Sequence, residues 1–191
     1  MRVLEEDLVE LVELVDEQLR MTPAERLEYL LGDGYWPACR QVLRVAAAVR
    51  DEVVLVGPVA VALRGGPQQP GDGRVDLLCD AAAQDDVALA LFDAGAGVGR
   101  LWRAGSQPAG EVLQELPVGD GMLTLRTAAA GVTDIAAVIG RGELVDVAGS
   151  VVRVAGLDDL IDVTFASPWS QDGPYRSGLR ALRARRDATP A

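Results

Sequence analysis

"VVLVGPVAVALRGGPQQPGDGRVDLLCD", residues 53–80, is the stretch whose reading decides the fold. It opens on four apolar residues ending at Gly57 and continues through a short apolar run. A loop of glycine, proline and glutamine follows, and the stretch closes on "RVDLLCD". Short apolar runs bounded by turn residues read as buried strands. The stretch therefore predicts strand, turn, short helix, loop and strand.

The pattern continues downstream. "QDDVALALFDAG" predicts a helix, and "VGRLWRAG" a strand. "EVLQELPVGDGMLTLRT" predicts two strands joined at Gly-Asp-Gly. "VTDIAAVIG" predicts a short helix, and "ELVDVAGSVVRVAG" a hairpin around Gly149-Ser150. "LDDLIDVTFAS" and "PYRSGLRALRARR" predict the last two helices. The glycine run "GAGVGR" at 95–100 follows a helix and precedes a strand. That order is the reverse of a dinucleotide loop, so it reads as a turn. The loops at 65–74 and 167–175 are rich in turn residues and are expected to be mobile.

Upstream the chain is helical. "MRVLEEDLVELVELVDEQLR" places Leu4, Leu8, Leu11, Val15 and Leu19 on one helical face, with seven acids between Glu5 and Glu17. Thr22, Pro23 and Glu25 then form a capping-box signature, and Gly32 is expected to end that helix. A third helix is expected to start near Pro37. The sum is an α+β chain: a mixed, mostly meandering sheet flanked by helices, preceded by a helical segment.

Composition narrows the chemistry. At 191 residues, 49% of them apolar, the chain can bury one sizeable core. It contains no histidine and no lysine. That excludes histidine-based nucleophile pairs, histidine-ligated zinc, phosphate-loop lysines and Schiff bases. Cys39 and Cys79 are far apart and read as buried free thiols, so a cytoplasmic location and no membrane span are expected. The net charge is −11, which argues against general binding to duplex DNA. Residues 1–33 carry ten acids against three arginines; residues 173–191 carry five arginines against one acid.

Metal-dependent nucleotidyl transfer needs carboxylates converging on magnesium and a glycine-rich turn facing phosphate. On a strand, alternate residues share a face. "LVGPVAVALRG…RVDLLCD" resembles the nucleotidyltransferase superfamily, whose core has a Gly-Ser or Gly-Gly turn, a short helix and a strand bearing Asp-x-Asp. The closest type is its minimal, toxin–antitoxin and abortive-infection-like branch, which "VVRVAGLDDLIDVTFAS" and "LTLRTAAAG" also resemble. The resemblance covers roughly residues 52–187. It excludes the N-terminal helices, so the chain divides into a helical segment over 1–50 and a nucleotidyltransferase-like domain over 51–191.

Carried over residue by residue, the resemblance implies a degenerate site. Gly57 matches the first turn glycine, but Pro58 replaces the second and removes an N–H. Arg74 stands for the first metal carboxylate, Asp76 matches the second, and Thr124 stands for the third. Thr164 stands where a helix lysine is usual. Asp72 shares strand parity with Asp76 but lies about 13 Å away in an extended strand, so sharing a metal with it would require the turn to fold back. An Arg74–Asp76 ion pair is expected in place of a metal.

The first functional reading is therefore a silent nucleotidyltransferase-fold protein without a cofactor, acting through a protein partner as in toxin–antitoxin or defence systems. Its contacts would be Glu10, Glu13 and Glu17, or Arg176, Arg180 and Arg183. The same arginines are the candidate for RNA, and homo-oligomers remain open. One alternative is an active enzyme using magnesium and a nucleoside triphosphate, with Asp76 and Asp72 as metal ligands. Another is a nucleotide sensor in which Gly57 and Arg64 or Arg74 hold phosphate.

Overall fold

The computed structural model describes residues 2–67, 70–103, 112–129, 131–166 and 173–188. Helix α1 (Arg2–Arg20) leads into α2 (Pro23–Ala46). The capping box forms as expected: Thr22 N donates to Glu25 Oε2 at 2.8 Å, and Glu25 N donates to Thr22 Oγ1 at 3.3 Å. The Thr22 backbone N–H and its hydroxyl, which donates to Glu25 Oε2 at 2.8 Å, hold the Glu25 carboxyl below its ordinary value. Gly32 breaks the helical conformation with φ 61, but helix resumes at once, so the expected third helix is the continuation of α2. Pro37 lies inside it rather than at its start. It comes five residues after the kink at Gly32.

The sheet has seven strands: β1 (Val53–Val56), β2 (Val75–Cys79), β3 (Arg100–Arg103), β4 (Val112–Val118), β5 (Gly121–Arg126), β6 (Glu143–Val147) and β7 (Ser150–Val154). Four more helices join it: α3 (Gly57–Leu63), α4 (Gln84–Asp93), α5 (Ile135–Arg141) and α6 (Leu157–Ala166). A last helix, α7 (Gly173–Asp187), ends the described chain. The order is β3-β4-β5-β2-β1-β7-β6. β1 runs antiparallel to β2 and parallel to β7, and β2 runs parallel to β5. The meander is therefore confined to the two flanks. The hairpins β4–β5 and β6–β7 dock on either side of a central β1–β2 pair. The β6–β7 turn sits at Ala148 and Gly149, both with positive φ, and Ser150 already belongs to β7.

The central strands are apolar because both faces are covered. Val53 to Val56, Val75, Leu77, Leu78, Leu123 and Leu125 are all buried. Leu27, Leu31, Val42 and Leu43 of α2 belong to the same core. On α1, Val15 is fully buried and Leu11 half-buried, while Leu19 is largely exposed; the side chains of Leu4 and Leu8 lie outside the described residues. Residues 167–172, most of the second expected mobile loop, also lie outside them. Among the described residues no helix is long and apolar enough to cross a membrane.

Candidate functional site

Register brings the site together. Val56 faces Asp76, Asp76 faces Thr124, Thr124 faces Glu115, and Glu115 faces Arg100, in one row across five strands. Residues paired this way share a face, and Arg126, two along β5 from Thr124, shares it too. At the end of the row, Gly57 opens α3 with φ 72, a left-handed conformation that glycine adopts without strain. A Cβ built on Gly57 would lie 2.5 Å from Asp76 Oδ2. The carboxylate thus rests directly against the turn.

Asp76 is the best-enclosed charge here. Its side chain is 13% exposed, and Oδ1 is buried without a hydrogen-bond partner. Arg126 Nε stands 3.7 Å from that oxygen, close enough for an ion pair but not for a hydrogen bond. Burial pushes the Asp76 carboxyl above its ordinary value. The Arg126 charge, the neighbouring Thr124 hydroxyl and the Arg74 charge pull it back in part, and Asp72 adds to the rise. Thr124 Oγ1 is itself buried, and its hydroxyl acts on Asp76 from the paired position on β5.

The expected Arg74–Asp76 pair is not the one formed. Arg74 bonds Glu115 Oε1 at 2.7 Å, and Arg126 takes the place beside Asp76. The reason is local: β2 begins at Val75, so Arg74 follows Gly73 outside the strand's alternation and reaches across to β4. Asp72 lies in the loop before β2, near enough for its charge to raise the Asp76 value. Its Oδ1 accepts from the Arg74 backbone N–H at 3.1 Å, closing the loop before β2. Arg64 lies at the other end of α3, about 10 Å of helix from Gly57. Its guanidinium bonds Ala155 O, Val154 O and Glu143, so it is bound to β6 and β7 rather than to the turn. Pro58 sits in the first turn of α3, and Thr164 lies on α6.

Glu115 and Arg126 escape a sequence reading built on motif positions alone. The signal was present in the hairpin: alternation along "LTLRT" puts Thr124 and Arg126 on one face, and pairing across Gly-Asp-Gly puts Glu115 opposite Thr124. Magnesium does not fit this set. Its ligands are anionic or neutral oxygens, and Asp76 offers a carboxylate flanked by a hydroxyl and a guanidinium. Among the described residues no cluster of three or more His, Cys, Asp or Glu side chains could hold a metal.

No family model matches the chain, and no curated protein does. Solved structures do. The solution structure of the antibiotic-resistance factor ANT(2'')-Ia aligns with 78% of this chain and 84% of its own, at 15% identity and a TM-score of 0.50. The chain has the nucleotidyltransferase fold. ANT(2'')-Ia in a crystal complex with adenylyl-2''-tobramycin aligns at 18% identity over 78% of this chain and 97% of its own, with a TM-score of 0.47. JHP933 from Helicobacter pylori aligns at 15% identity over 74% and 60%, with a TM-score of 0.40. At these identities the likeness is one of fold.

The raised Asp76 value has a measurable consequence. The folded chain holds the Asp76 proton above 3.8, the ordinary value, where the unfolded chain has released it. Stability from this group is thus intact below the ordinary value and is lost as pH rises through the raised one. Asp76→Asn is expected to raise the melting temperature at pH 7.5 and to leave it unchanged at pH 3.5. Thermal unfolding at the two pH values checks this; a lower melting temperature at pH 7.5 would contradict it.

The basic and acidic contact candidates lie on neighbouring helices. Arg185 of α7 bonds Asp16 of α1, Arg186 bonds Asp158 of α6, and Arg183 stands 3.9 Å from Asp187. The guanidiniums of Arg176 and Arg180 lie over Phe165 at 5.1 and 5.5 Å. Part of the acidic charge of α1 is thereby neutralised within the chain. Glu10, Glu13 and Glu17 stay exposed beside exposed Val9 and Leu14. Glu17 also lines a cleft of about 680 Å³ with Arg20, Met21, Glu25, Glu28 and Tyr29.

Proposed function

We propose that this chain is a catalytically silent nucleotidyltransferase-fold protein that acts by binding a protein partner. The observation that carries the reading is the exchange of charge at the metal position. A guanidinium stands beside the one retained carboxylate, a threonine replaces its partner, and Arg74 is paired with Glu115. An arginine there neutralises Asp76 as a metal would, without offering a Lewis acid or a site for phosphate bridged by metal.

The partner surface is the outer face of α1. Acids at 10, 13 and 17 form one helical stripe, flanked on either side by exposed Val9 and Leu14, and Tyr29, 67% exposed, lines the cleft. Exposed apolar side chains next to a charged stripe offer a partner both anchors and charge. The partner is therefore basic with apolar pockets, a role that suits the toxin–antitoxin and defence systems whose proteins the sequence resembles, and a cytoplasmic setting. RNA binding through Arg176, Arg180 and Arg183 is less favoured, because Phe165 and Asp187 already engage those side chains.

The test is native purification of the full chain from its own cells at low and high salt. A retained partner should dissociate as salt rises. The triple variant Glu10→Gln, Glu13→Gln, Glu17→Gln should lose it without a change in melting temperature. Retention unaffected by the triple variant would sink the assignment of this surface.

A further inference from the structure

Arg40 and Arg44 stand one turn apart on α2, both exposed. They open onto a groove of about 540 Å³ whose other walls are Pro37, Gln41, Ala148 and Ser150. Among the described residues neither guanidinium makes an ion pair or a hydrogen bond. The chain has 29 acids for 18 basic residues, and most of its described arginines are held by carboxylates, carbonyls or a ring. Arg20, Arg50 and Arg100 also make no such contact, but each stands singly, whereas Arg40 and Arg44 stand side by side on one concave surface. The nearest acid of the turn does not fill the place, because Asp146 Oδ1 accepts from Gly149 N at 2.7 Å.

We infer that this groove binds a phosphate-bearing ligand of nucleotide size. Its volume falls within the roughly 300–1,000 Å³ usual for small-molecule sites. Two guanidinium forks one helical turn apart can each present paired N–H donors to phosphate oxygens. Gln41 and the nearly buried Ser150 line the groove and supply neutral polar groups. None of Gly57, Arg74, Asp76, Thr124 or Arg126 lines it, so the inference stands apart from the reading of the central row.

The experiment is a titration of the full chain with inorganic pyrophosphate and with adenosine monophosphate, in magnesium-free buffer at about 50 mM salt, where screening is moderate. Both probes should bind, each about tenfold more weakly after Arg40→Gln or Arg44→Gln, and not measurably after both changes. Glutamine is a good helix former and both positions are exposed, so the melting temperature should hold. Tighter binding of the nucleotide would mean that the groove also holds a nucleoside; equal binding would mean that phosphate alone is recognised. The control Arg50→Gln, which removes one exposed charge outside the groove, should leave binding intact. Absence of binding by both probes, binding that survives the double change, or equal loss in the control would overturn the inference.

Discussion

Replacing Arg26 with methionine is expected to lower stability by about 3–4 kcal/mol and the melting temperature by about 10 °C. Arg26 is 4% exposed, yet no carboxylate meets it. Its Nε donates to Gln18 O at 2.8 Å and its Nη2 to Met21 O at 3.1 Å, both where α1 ends. Its Nη1 donates to Leu63 O at 2.5 Å and Ala62 O at 3.4 Å, the last carbonyls of α3. Two helix C-termini, each the negative end of a helix dipole, therefore share one cation. Burial pulls the Arg26 guanidinium below its ordinary value, but an arginine begins so high that it stays charged. Methionine would fill much of the volume but leave Leu63 O and Met21 O without the guanidinium donor, while Gln18 O and Ala62 O would keep only the backbone bonds from Met21 N and Gly65 N. Lysine should recover only part of the loss, since one ammonium cannot span both helix ends. Urea or thermal unfolding reads the effect, and a fall of less than about 3 °C would contradict it.

The second large effect is expected at Gly57. Gly57→Ala should cost about 3 kcal/mol, from two sources that can be separated. An alanine at φ 72 loses roughly 1–2 kcal/mol for the left-handed conformation alone. The rest comes from the Cβ, which would sit 2.5 Å from Asp76 Oδ2. Truncating Asp76 to alanine removes the second source, so Gly57→Ala should cost only about 1–2 kcal/mol in that background. A double-mutant cycle measured by urea unfolding gives the coupling. Strict additivity would mean that the turn and the carboxylate do not touch.

Much of the fold can be read from residues 53–80 and the hairpins after them. Apolar runs, turn glycines and helix caps are local signals, and the strands and helices fall where those signals put them. Strand order was not legible in the same way. The parallel pairing of β2 with β5 joins residues some fifty positions apart, and nothing local in "VDLLC" or "MLTLR" declares it. That pairing governs the site, because it brings Arg126 to Asp76. A motif reading fixed Asp76 and Thr124 and assigned the wrong arginine, since it treated Arg74 as part of the strand. The kink at Gly32 was legible, but the immediate return to helix was not, because it depends on α2 covering the sheet with Val42 and Leu43. Glu115 became visible only once Thr124 was placed, through the register of its own hairpin.

The central claim is that charge at the retained carboxylate is balanced by arginine rather than by metal. Isothermal calorimetry of the full chain with ATP, GTP and CTP, each with and without magnesium, tests it most directly. The account predicts that magnesium strengthens the binding of none of the three nucleotides. Magnesium-dependent binding that disappears in Asp76→Asn would contradict it.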